Sequence, residues 1–116
     1  MDIHTQSLTI RKGDDFRNSI EVKQNGVLLD MTNYSFEMDV RSCIDDSLTI
    51  IELTDSNGRI DTSLVNQGII ILTITDIDTL ALDEQKAVYD LRWIDTNLDK
   101  RTILQGVVEI LETVTR

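Results

Sequence analysis

Asp95, Asn97 and Asp99 stand at the alternate positions where a calcium loop of the form D-x-N-x-D begins. At that spacing carboxylate and amide oxygens converge on a hard cation. The bend glycine such a loop needs next is replaced by Lys100, and the closing bidentate glutamate by Gly106. A second run, Asp55-Ser56-Asn57-Gly58, keeps the glycine but has Leu53 where the first ligand belongs. Both runs read first as hairpin turns, with a non-standard calcium site at Asp95, Asn97 and Asp99 as the sharper alternative. Cys43 and His4 are the only residues of their types. A thiolate–imidazole pair would need a third, orienting group that nothing here supplies. One soft ligand of each kind is also too few for structural zinc, and a lone cysteine can form no intramolecular disulfide.

Carboxylates are plentiful, with 21 acidic residues against 11 basic ones. General acid catalysis requires one carboxyl held in a desolvated pocket. The acids here fall in turns or at outward strand positions such as Glu37, Asp39 and Asp90, where they stay solvated. No G-x-G-x-x-G, P-loop or G-x-S-x-G is present. The chain is therefore read as a non-enzyme with no cofactor. In "AVYDLRW", residues 87–93, Asp90 and Arg92 could be taken for a charged site. Alternation puts them on one face and Tyr89, Leu91 and Trp93 on the other, as a half-buried strand would.

The positioning elements follow from the same period of two. Leu8 and Ile10 face inward ahead of the turn at Gly13-Asp14. Phe16, Ile20 and Val22 alternate with Arg17, Ser19, Glu21 and Lys23. Asn25-Gly26 is a strong hairpin signal, since both residues accept positive φ. Residues 35–42 place Phe36, Met38 and Val40 inside, and residues 68–75 are apolar on both faces, as in a central strand. Residues 75–85 read as one helical turn capped by Thr75 or Asp76, with Ile77, Leu80 and Leu82 on the core. The last two strands, 86–94 and 101–111, turn Leu104, Val108 and Ile110 inward. Gly106 marks a bulge or a close backbone approach there. The pattern predicts an all-β, immunoglobulin-like antiparallel sandwich of seven to eight strands with one short helical turn. It forms a single domain over residues 1–116, with residues 1–6 as a mobile arm. Antibody-type Cys…Trp…Cys spacing is absent.

Composition narrows the partners. A formal charge of −10 opposes binding to nucleic acid and to anionic membranes. The longest apolar run is far short of the roughly 20 residues that span a bilayer. No signal peptide is expected, because no basic segment leads into an apolar one. The charge also admits a DNA-mimic-like inhibitor that occupies a host DNA-binding protein.

The segments "IRKGDDF", "NGVLLDMTNYSFEMDVR", "GIIILTITDIDTLAL", "AVYDLRWID" and "TILQGVVEILETVTR" occur in an order that resembles a group of small β-sandwich proteins. These belong to tailed bacteriophages and prophages, and include N-terminal domains of baseplate upper proteins and tail-fibre-like proteins. The resemblance implies a virion structural component, made in the bacterial host cytoplasm and assembled as a homo-oligomer or with other phage structural proteins. It carries over no catalytic residue. The contact surface is expected on the outward residues Val88, Asp90, Arg92 and Ile94. Val88 and Ile94 are apolar there, where a monomer would favour polar groups.

Overall fold

The computed structural model describes residues 4–42, 49–82 and 86–112. Strands β1 (His4–Thr5), β2 (Leu8–Arg11) and β3 (Phe16–Glu21) lead into a ribbon of β4 (Lys23–Gln24) and β5 (Val27–Leu28). Then come β6 (Ser35–Arg41), β7 (Thr49–Thr54), β8 (Ile60–Asp61), β9 (Ile69–Ile74), the helical turn α1 (Asp76–Leu80), β10 (Lys86–Ile94) and β11 (Lys100–Leu111). Seven of these strands are four residues or longer, in line with the number that the turn spacing predicts.

Two layers enclose the core. The larger sheet runs β1-β11-β10-β6-β7, with β2 also on β11. The smaller is β3-β9-β8, in which β9 is central, as its two-sided apolar run requires. β1 and β2 pair parallel with β11, and every other pairing is antiparallel. Phe36, Met38, Val40, Tyr89, Leu91 and Trp93 from the large sheet meet Ile20, Ile60, Ile70, Leu72 and Ile74 from the small one, all buried. Asn25 (φ 56°) and Gly26 (φ 80°) both take positive φ, which matches the right-handed twist of the β4–β5 ribbon.

One expectation is corrected and three are narrowed. In α1 the side chains of Ile77 and Leu80 are 76 % and 60 % exposed, and only Leu82 joins the core. The buried residue of the turn is Thr79. Its hydroxyl accepts from the Gly13 N–H (3.1 Å) and donates to the Asp14 carbonyl (2.8 Å), so the turn docks through polar contacts. Thr75 is the N-cap residue, as read, although its side chain makes no capping hydrogen bond. The Asp76 N–H donates instead to the Asp15 carboxylate, at 2.8 Å. Within the expected arm, His4 and Thr5 pair with Leu104 and Gln105, and the Gln6 N–H bonds the Gln105 carbonyl. This bonding uses backbone groups alone, which side-chain patterning does not register. The irregularity in β11 lies at Ile103, between the pairs Leu91–Leu104 and Arg92–Thr102, and Gly106 is a close approach rather than a bulge. A Cβ at Gly106 would stand 2.2 Å from the Gln6 carbonyl oxygen.

Candidate functional site

The outward face of the large sheet is built by cross-strand register. β10 lies between β6 and β11, so residues two apart in β10 each head a transverse row. One row places Glu52, Asp39, Asp90, Gln105 and Thr5 side by side. The rows on either side contain Arg41, Val88 and Val107, and Glu37, Arg92 and Thr102. Asp39, Arg41, Val88, Asp90, Gln105 and Val107 enclose a depression of about 310 Å3.

Charges alternate along this face. Arg92 reaches Glu37 at 2.6 Å and Asp39 at 4.0 Å, Arg41 reaches Asp39 at 3.1 Å, and Lys100 reaches Glu37 at 3.8 Å. The Asp39 side chain is only 14 % exposed although it faces outward. Arg41 Nε and Arg92 Nε are buried and have no hydrogen-bond partner. A sheet face with orphan donors beside apolar Val88 and Val107 is partly desolvated before anything covers it.

Val88, Asp90, Arg92 and Ile94 all face this way and are half-buried. The structure brings Val88 and Asp90 together in the depression. Arg92 is drawn into the ion pairs, and Ile94 lies beyond them beside Ser35 and Lys100. Along β10, Val88 and Ile94 are roughly 20 Å apart, so they cannot share one small contact. Sequence reasoning put Asp39 and Asp90 outward but did not bring Arg41, Gln105 and Val107 to Val88. The antiparallel register of the β10–β11 hairpin was the signal that could have done so for Gln105 and Val107, while Arg41 arrives through the β10–β6 pairing.

The Asp95–Asp99 loop is shaped by its own acid. Asp95 Oδ1 accepts the N–H groups of Asn97 (2.9 Å) and Asp99 (3.0 Å), and the Asp95 N–H bonds the Asp99 carbonyl. Leu98, at φ 65°, completes the reversal. Among the described residues no group of three or more His, Cys, Asp or Glu is placed to hold a metal. At Asp55–Gly58, Asn57 binds back onto β7 rather than opening toward a cation. Cys43 lies outside the described residues.

Tyr89 faces inward and its hydroxyl donates to the Gln6 carbonyl at 2.6 Å, which ties the first strand segment across β11. Burial pushes this phenol up to about 12. Two further clefts open on the flank of the sandwich between the first strands and β3, of about 320 and 510 Å3.

No protein-family profile matches the sequence, and no curated protein matches it. Among solved structures the fold is similar to a chain in the crystal structure of ICOS in complex with ICOS-L and an anti-ICOS-L VNAR domain. The identity is 13 % and the TM-score 0.51, over 96 % of this chain and 56 % of that one. This chain thus spans just over half the length of the chain it matches, and at this identity the likeness is one of fold. The two-layer arrangement, with its first strands parallel to the last, is an immunoglobulin-like β-sandwich.

Proposed function

We propose that the chain is a non-enzymatic structural protein of a tailed bacteriophage or prophage. It works as a tail- or baseplate-associated assembly module, through association with copies of itself or with other phage structural proteins. The observation that carries this reading is the outer face of the large sheet. There Val88 and Val107 lie beside Asp90 in an open depression, flanked by half-buried ion pairs. Apolar anchors ringed by charged groups are the anatomy of a specific protein contact. The carboxylates of Glu37 and Asp39 are engaged by Arg92 and Arg41, which suits positioning rather than acid–base work. The order of turn and strand segments that resembles phage sandwiches supports the viral assignment.

Particles induced from the bacterium that carries the gene should contain the chain in a fixed copy number by mass spectrometry. Val88→Lys should lower its incorporation roughly tenfold or more, as removal of a central contact does, with the circular dichroism spectrum unchanged. Absence from purified particles would sink the reading. The formal charge of −10 favours one alternative, an acidic inhibitor of a host DNA-binding protein. That alternative requires binding to a basic protein which weakens steeply with added salt.

A further inference from the structure

β3 is an edge strand. It pairs with β9 alone, and along its other side two flank clefts separate it from residues 5–9 and from Ile103 and Leu104, with no strand bonded to it there among the described residues. The Val22 N–H bonds the Gly68 carbonyl at 2.8 Å, in line with the register that pairs Ile20 with Ile70 and Asn18 with Leu72. Hydrogen-bonded pairs recur every second residue in an antiparallel ladder. The backbone groups of Arg17, Ser19 and Glu21 therefore point away from β9, toward the open side. Their side chains are exposed.

The free edge of β7 is treated differently. The Asp55 N–H bonds the Phe36 carbonyl, so the groups of Glu52 and Thr54 face outward. Side chains from the following loop cover them. Asn57 Oδ1 accepts the Thr54 N–H, while Asn57 Nδ2 and Arg59 Nη1 both donate to the Glu52 carbonyl, at 3.0, 3.0 and 2.9 Å. Such covering blocks strand addition. β8 is two residues long, and the edge formed by β1 and β2 is interrupted at Gln6 and Ser7. This leaves β3 as the longest uncovered edge among the described residues.

We propose that β3 pairs with β3 of a second copy, antiparallel about a two-fold axis at Ser19. The sequence of the strand selects that occupant. With Ser19 opposite Ser19 of the second copy, Arg17 stands opposite its Glu21, and Glu21 opposite its Arg17. The three residues whose backbone groups face the edge are the three that meet, each pair exchanging two N–H···O bonds. Carried outward, the same register sets Asp15 opposite Lys23 of the second copy. A strand whose charges are self-complementary about its own midpoint fits an isologous contact. Asn18 Nδ2 is buried and has no partner. In the dimer it lies diagonally across the axis from Asn18 of the second copy, whose amide oxygen can accept from it. Two small sheets then become one continuous sheet. This inference goes beyond the contact face of β10 and does not depend on the viral assignment.

Sedimentation equilibrium of the full chain over a concentration series tests it. Wild type should show a reversible monomer–dimer equilibrium. Arg17→Glu or Glu21→Arg alone should each weaken it by roughly tenfold or more, because two opposite-charge pairs become like-charge pairs. The double exchange Arg17→Glu with Glu21→Arg should restore it. In a Cys43→Ser background, Ser19→Cys should cross-link into dimers on oxidation, since directly opposed residues are about 5.5 Å apart at Cα. Arg17→Cys and Glu21→Cys should not. A monomer at every concentration, insensitivity to the single reversals, failure of the double exchange, or equal cross-linking at all three positions would each overturn the proposal. None of those results bears on Val88→Lys.

Discussion

Tyr89 and Gly106 face each other in the β10–β11 register, and Gln6 crosses in the space that the missing Cβ leaves. The phenol holds that crossing by its bond to the Gln6 carbonyl. Tyr89→Phe should cost about 0.5–1.5 kcal/mol, since it removes a part-buried hydrogen bond, and urea titration would show it. The phenol also makes stability depend on alkaline pH. Its folded pKa is raised from 10.0 to about 12, so below pH 10 both states are protonated and the contribution is intact. Above 10 the unfolded phenol ionises while the folded one does not, and stability falls until the folded pKa is reached. Wild type should lose roughly 2–3 kcal/mol between about pH 9.5 and 12 that Tyr89→Phe does not lose. Asp30 and Asp78 act in the opposite range. Their carboxyls are held low by hydrogen bonds, from Thr32 and from Arg59 respectively. What they contribute is present above the ordinary carboxylate pKa and disappears as pH falls through their lowered values.

At the scale of elements, α1 shows why a short helix is hard to read from sequence. Its apolar residues Ile77 and Leu80 are exposed, and it docks through the Thr79 hydroxyl onto Gly13 and Asp14. Thr79→Val keeps the shape and removes the bond. It should destabilise the chain by about 1–3 kcal/mol because the Gly13 N–H loses its partner. Faster amide exchange at Gly13 than at core strand residues would check it. The long strands were legible because one face of each is buried, which makes alternation obligatory: β6 and β10 place Phe36, Met38, Val40, Tyr89, Leu91 and Trp93 as read. β1 was not, since its pairing with β11 uses backbone groups that every residue type carries. The outward face was legible as single residues and not as a site. Asp90 and Asp39 are far apart in sequence and adjacent only through the β10–β6 register.

For the molecule as a whole, charge governs behaviour in solution. With a formal charge of −10 at neutral pH, copies repel one another, and any self-association must form against that repulsion. The sequence pI is about 4.3, so acidification toward that value removes the repulsion. Solubility should pass through a minimum near pH 4.3 and recover on either side, measurable by light scattering across a pH series. Charge was fully legible from composition, as was the two-layer core from the β-branched strands. Which edge lies open was not. The covering of β7 depends on Asn57 and Arg59 folding back from a loop that sequence marks only as a turn.

The parallel course of β1 and β2 along β11 has a mechanical consequence. His4 lies beside Leu104 and Arg11 beside Leu111, so the first described residues and the last leave the sandwich at opposite ends. Tension applied between residue 4 and residue 112 would strain these rungs together, in shear, instead of peeling them open one after another. The parallel rungs would then break together rather than singly, which sets a higher force for rupture than peeling does.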